Sequence, residues 1–203
     1  MKRHSHVLPT ASALCAALWL APVAHAAVST SGCTGGTSCT MTELLSGGSI
    51  TTGGITFSGF DDSLAVDSPD TDSILLTGVD DGSLDPGPGF DFSASSDFAV
   101  GSGGDIFYRF SFDIDVVGGA SLIKDASLSL SGFSGTDGFD DTITVSTLIP
   151  STDPLPAELV VTDLGTSDDF DLAATVSSII ADQRILVDAF FGDGATLSDY
   201  EFR

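Results

Sequence analysis

Beyond residue 26 this 203-residue chain contains no histidine and no tryptophan. It keeps only four basic residues there (Arg109, Lys124, Arg184 and Arg203), two cysteines (Cys33 and Cys39) and three glutamates (Glu43, Glu158 and Glu201). Each shortage excludes something. Without histidine there is no Ser-His-Asp or Cys-His catalysis and no histidine-based zinc site. With so few cations, nucleic acid phosphates and anionic lipid are repelled. The lack of tryptophan weakens a reading in which sugars stack on exposed aromatics, since Tyr108 belongs to the apolar face of a long strand. No 18-residue apolar segment occurs after residue 26, so no helical membrane span is expected there. The run Gly101-Ser102-Gly103-Gly104 leads into a strand pattern, not a helix, and reads as a turn rather than a phosphate loop.

The first 26 residues have a different character. Lys2, Arg3, His4 and His6 give a positive start, an apolar run follows from Ala11 to Val23, and Ala24-His25-Ala26 is a small-x-small cleavage site. This is the pattern of a secretory signal peptide, with cleavage expected after Ala26. The mature chain would hold 177 residues, with four basic side chains against 29 acidic ones, a formal charge of −25. Export puts Cys33 and Cys39 in an oxidising compartment, where a lone pair of thiols closes into a disulfide. The expected address is extracellular: secreted, or at the surface of a bacterial cell.

Of the 29 acids, 26 are aspartate, and the chain has 23 glycines. Aspartate bonds its own local backbone and favours turns, so this is the composition of a strand-and-turn protein. Period-two alternation bears that out along the chain. Ile106, Tyr108, Phe110, Phe112, Ile114 and Val116 occupy every second position, and after Gly118-Gly119-Ala120 a second run places Leu122, Ala126, Leu128 and Leu130 against Ile123, Asp125, Ser127, Ser129 and Ser131. Two such runs around a short glycine-rich break predict a β-hairpin.

Residues 27–39 are small and polar and are expected as an arm. Thr40-Met41-Thr42-Glu43 fits a capping box, with Leu44 and Leu45 behind it and Gly47-Gly48 to end a short helical turn. Strands are expected near 50–60, 63–66, 73–79, 90–94, 98–100, 143–147, 159–164, 170–180, 185–191 and 198–202, with the 106–131 runs in the middle. Taken together, the fold class is all-β: an antiparallel sandwich, jelly-roll-like, of about ten strands with one N-terminal helical turn. The organisation is a signal peptide (1–26), an arm with the cysteine pair (27–39) and one sandwich domain (40–203).

The segment from Cys39 through Thr40-Met41-Thr42-Glu43-Leu44-Leu45-Ser46-Gly47-Gly48-Ser49-Ile50 to Gly54-Ile55-Thr56-Phe57-Ser58-Gly59-Phe60 resembles the start of many bacterial exported proteins that carry a PEP-CTERM sorting tail. Ile123-x-Asp125-Ala126-x-Leu128 resembles theirs too, as does the end, from Leu159-Val160-Val161 to Tyr200-Glu201-Phe202. The likeness spans most of residues 33–202. The family's Pro-Glu-Pro motif, membrane span and basic end do not occur in it, so it concerns the exported domain. It implies a surface or matrix protein.

The remaining constellation is the aspartate clusters: 67/70/72, 80/81/85, 137/140/141 and 168/169/171. Calcium takes six to eight hard oxygens from such loops, and Asp137, Asp140 and Asp141 on a glycine-containing loop are the metal candidates. The plainer reading is turn chemistry that also keeps sheet edges unpaired. No catalytic residue and no cofactor other than calcium is expected. The function read from the sequence is a non-catalytic secreted surface or extracellular-matrix protein. The alternative is a calcium-dependent polysaccharide-binding or adhesion module, and a carboxylate-based glycosidase stands last. Expected partners are extracellular polysaccharide or other surface proteins.

Overall fold

The computed structural model describes residues 27–80, 82, 87–118, 122–135, 141–150, 156–189 and 194–203. The expected signal peptide lies outside them. Among the described residues are fourteen strands and one helix. In chain order they are β1 (Ser29–Ser31), β2 (Ser38–Thr40), α1 (Met41–Leu45), β3 (Ser49–Thr52), β4 (Ile55–Asp61), β5 (Ile74–Val79), β6 (Gly89–Ala94) and β7 (Ala99–Val100). There follow β8 (Gly104–Val116), β9 (Ile123–Ser134), β10 (Asp141–Ile149), β11 (Ala157–Thr162), β12 (Ser167–Val176), β13 (Ser178–Ala189) and β14 (Ala195–Phe202).

They form two antiparallel sheets. Sheet A has the order β1-β3-β4-β8-β13-β10-β11, and sheet B the order β12-β9-β14-β6-β5-β2, with β7 beside β14. The arm expected at 27–39 supplies an edge strand to each sheet, β1 against β3 and β2 against β5. The chain is an all-β antiparallel sandwich, with more strands than the ten expected.

The alternation of β8 explains why there are two layers. Tyr108, Phe110, Phe112 and Ile114 are buried while the residues between them are half-exposed. Phe57 and Phe60 join them from β4; Phe90, Phe92, Tyr200 and Phe202 come from sheet B. Phe92 stacks on Tyr200 with centroids 4.6 Å apart, and Phe57 meets Phe90 edge-on at 5.2 Å across the interior. Such ring pairs add about 0.5–1.5 kcal/mol each beyond the area they bury.

The expected hairpin is not formed. β8 pairs with β4 and β13, whereas β9 pairs with β12 and β14 in the other sheet. Both runs have one apolar face, and the two faces look into one interior from opposite sides. Alternation reports that a face is buried, not whether the neighbouring run lies beside it or across from it. The phase of β9 also differs at its start: Ile123 is buried and Leu122 is 49% exposed. A register shift between β12 and β9 in this region accounts for the slip.

Two further expectations are corrected. Residues 63–66 form turns rather than a strand, with Leu64 and Val66 exposed at 63% and 73%. The main-chain N–H of Ser63 is taken by the side chain of Asp61 instead of a ladder. The single strand expected over 170–180 is two, β12 and β13, in different sheets. In β13 the buried set is Ile179, Ala181, Gln183, Ile185, Val187 and Ala189, so Ile180 faces out.

The capping box forms as read. Thr40 Oγ1 accepts from the Glu43 N–H at 3.2 Å, and Glu43 Oε2 accepts from the Thr40 N–H at 2.9 Å. In β4, Gly59 (φ 63°) sits at a bulge against β8, where a Cβ would lie 2.4 Å from the Asp113 carboxylate.

Candidate functional site

Inward burial of Ala126, Leu128 and Leu130 on β9 and of Tyr200 and Phe202 on β14 turns the alternate residues outward. The register then assembles rows across sheet B. Ser167 of β12 stands opposite Ser129 of β9, Ser129 opposite Glu201 of β14, Glu201 opposite Asp91 of β6, and Asp91 opposite Thr77 of β5. In the next row Asp169 lies opposite Ser127, whose backbone exchanges hydrogen bonds with Arg203. Asp171 and Asp125 form a third pair.

Where they cross β12, β9 and β14, these rows line an open groove of about 570 Å³, with Lys124, Asp125, Ser127, Ser129, Ser167, Asp168, Asp169, Asp171, Glu201 and Arg203 among its lining residues. Its polar lining is hydroxyl, carboxylate and cation, Ala126 and Leu128 also contribute, and no aromatic ring takes part. Gly89, at the start of β6, lets β14 come close: a Cβ there would meet the Phe202 carbonyl at 1.9 Å.

Electrostatics order the groove. Arg203 pairs with Glu201 and its Nη1 reaches the Gly87 carbonyl at 3.5 Å, with the side chain only 11% exposed. Lys124 pairs with Asp125. Burial pushes the Asp91 carboxyl above its ordinary value, the charge of Glu201 and a hydrogen bond with it push it further, and Arg203 opposes them. Asp168 turns to the strand edge, where its Oδ2 accepts from the Val160 N–H at 2.9 Å.

Of the residues singled out from sequence, Asp168, Asp169 and Asp171 line the groove and the others fall elsewhere. Cys33 and Cys39 are joined in a disulfide, as expected, with Cα atoms 5.2 Å apart. Glu43 lies close to both sulfurs, near enough for the three to suggest metal ligands. Its Oε1 accepts from the Thr34 N–H at 2.7 Å and from the Thr34 hydroxyl, while Oε2 caps the helix. Those donors hold the Glu43 carboxyl below its ordinary value, the Thr40 backbone foremost. With the sulfurs bonded to each other, this cluster is a covalent and hydrogen-bonded clasp.

Asp137 and Asp140 lie outside the described residues, as does the side chain of Asp141. Aspartates of the other clusters are engaged by backbone N–H groups: Asp70 by Asp72, Asp80 by Gly82, Asp67 by Phe107. The sequence reading named one cluster of the groove, Asp168, Asp169 and Asp171, but not the groove itself. Its polar alternation on β9 was visible, but the pairing that sets Asp169, Ser127 and Arg203 in one row joins positions far apart in the chain.

No family model matches the sequence, and no curated protein matches it. Among solved structures, TmCBM61 in complex with β-1,4-galactotriose is similar over 67% of this chain and 85% of that one, at 9% identity and a TM-score of 0.32. At that level the likeness says nothing about what this chain binds. No helix among the described residues is long and apolar enough to cross a membrane.

Proposed function

We propose that this is a non-catalytic, exported bacterial surface or matrix protein that holds polysaccharide in the groove of sheet B. The observation that carries the reading is the lining: rows of Ser, Asp and Glu side chains turned outward across β12, β9 and β14, with Arg203 among them. Hydroxyls that donate and accept, beside carboxylates that only accept, match the alternating needs of sugar hydroxyls. The disulfide suits an oxidising compartment. The pattern of residues 1–26 and the resemblance to PEP-CTERM proteins support export to the surface.

A hydrolytic role has less support. Asp91 and Glu201 stand directly opposite each other in the ladder, whereas glycoside hydrolysis needs two carboxyls about 5 Å apart or more with the sugar between them.

Affinity electrophoresis through gels cast with soluble neutral polysaccharides tests the reading, with and without calcium. At least one polymer should retard the protein, and Ser127→Trp, which fills the groove, should abolish the retardation with the circular dichroism spectrum unchanged. Retardation by none of the polymers, or retardation that survives Ser127→Trp, would overturn it. A requirement for calcium would select the calcium-dependent module.

A further inference from the structure

Lys124 and Arg203 border the groove. The other two basic residues of the described chain, Arg109 and Arg184, meet on the outer face of sheet A. They stand directly opposite each other on β8 and β13. Like charges in that position repel.

One carboxylate serves both. Arg109 Nε donates to Asp182 Oδ1 at 2.8 Å and its Nη2 donates to Oδ2, a forked pairing. Arg184 Nη2 is left 3.5 Å from the same Oδ2, the single ion pair it makes among the described residues. The three side chains together carry one net positive charge, and the Arg109 and Arg184 side chains are 30% and 34% exposed. Arg184 therefore presents a planar fork of donors whose ordinary complement is a carboxylate.

The surroundings narrow the ligand. Ser111 lies opposite Asp182, and Ser146 of β10 lies opposite Arg184. One step along the same face, Phe107 pairs with Leu186, both half-exposed. A charged fork beside the half-exposed Ser111 and an apolar shelf fits a sugar ring that bears a carboxylate, while Ser146 is buried and takes no part. Repulsion from the acidic remainder of the molecule is largely screened beyond about 8 Å at physiological salt, so the local charge governs.

We propose that Arg109, Asp182 and Arg184 form a second binding site, on the face opposite the groove, for the carboxylate of an acidic sugar in a polysaccharide. Arg184 makes the contact, and Arg109 takes the forked share of Asp182, which leaves Arg184 only a long ion pair for a ligand carboxylate to displace.

The test is calorimetric titration with oligogalacturonate at physiological salt, where that screening holds. Its methyl ester and poly-glutamate serve as comparisons. Oligogalacturonate should bind and the methyl ester should not. Arg184→Gln should weaken binding about tenfold or more, as expected for loss of a charge-assisted fork. Asp182→Asn should tighten it, because it removes the competing carboxylate and releases Arg109; a misfolded variant cannot gain affinity. Asp72→Asn, at an exposed turn outside both sites, should leave it unchanged. Equal binding of the methyl ester, no loss in Arg184→Gln, or no gain in Asp182→Asn would overturn the proposal. Poly-glutamate binding as tightly as the sugar would overturn the assignment to a sugar.

Discussion

Asp91 on β6 and Glu201 on β14 stand directly opposite each other, both on the outer face of sheet B. Like charges in that position cost about 0.2–1 kcal/mol. The Asp91 carboxyl answers by holding its proton to higher pH than usual, through partial burial first and the neighbouring Glu201 next. A carboxyl whose folded pKa is raised favours the folded state while protonated. That contribution is full below the unfolded value, about 3.9, and is lost as pH rises through the folded one. Asp91→Asn should therefore raise the melting temperature at pH 7, by about 1–4 °C for a domain of this size. The gain should vanish near pH 3.5. Calorimetry of both proteins at the two pH values checks it, and an equal gain at both would remove the carboxyl pair as the cause.

Glu43 should behave in the opposite sense. Its folded pKa is lowered by the backbone N–H groups it accepts from. Its contribution is present above the unfolded value and is lost as pH falls through the folded one. The Thr40 partner gives a magnitude: Thr40→Ala removes half of the capping box and should cost about 1 kcal/mol. Opening the Cys33–Cys39 bridge, as in Cys33→Ser/Cys39→Ser, should cost about 2 kcal/mol for so short a loop. Urea midpoints of the two variants measure both quantities.

Phe110 and Ser111 are neighbours with opposite fates. Phe110 is 1% exposed and meets Phe60, Phe92, Tyr108 and Phe112, whereas Ser111 lies on the outer face. Phe110→Ala should cost about 3–5 kcal/mol and Ser111→Ala no more than about 0.5 kcal/mol. Comparable losses in denaturant titrations would mean that β8 is buried on both sides.

The fate of these two residues was legible because period two fixes the faces of a strand whatever its partners. The capping box was legible because its four residues are consecutive. Pairing was not: Ala126-x-Leu128-x-Leu130 looks the same whether β9 lies beside β8 or across the core from it. Gln183 hid the length of β13, since a polar side chain on the inward face breaks the apolar series between Ala181 and Ile185. The groove and the Arg109–Arg184 site escaped for a related reason. Both are made by register between distant strands, Asp169 with Ser127 and Arg109 with Arg184.

Gln183 yields a prediction of its own. Thr147 Oγ1 donates to its Oε1 at 2.6 Å inside the core, but its Nε2 has no protein partner among the described residues. A buried donor left unpaired costs about 1–3 kcal/mol, and replacing both partners by apolar groups removes that cost. Thr147→Val/Gln183→Met should be at least as stable as the parent. Thr147→Val alone should be less stable, because it strips the amide of its one partner. A double-mutant cycle in urea gives the coupling, and a double variant less stable than both single ones would contradict it.

The last prediction concerns calcium. Three of the described aspartates at turns commit an oxygen to the local backbone: Asp61 takes the Ser63 N–H at 2.8 Å, Asp70 the Asp72 N–H at 3.1 Å and Asp80 the Gly82 N–H at 2.9 Å. A carboxylate that closes a turn this way is already oriented, and turning it to a cation would open the turn. Asp137, Asp140 and Asp141 share this residue type and a glycine-containing loop. We expect the same turn chemistry of them. A chain this acidic will be stabilised by any added salt, because screening weakens its self-repulsion, and sodium at matched ionic strength supplies that screening equally. A specific site would add to it: calcium at a hundred times its dissociation constant stabilises by about 2.7 kcal/mol. The measurement is the melting temperature in millimolar calcium against sodium at matched ionic strength. The expected result is equal values, unchanged by Asp140→Asn. An excess of several degrees in calcium, reduced by Asp140→Asn, would make that loop a calcium site and tie polysaccharide binding to it.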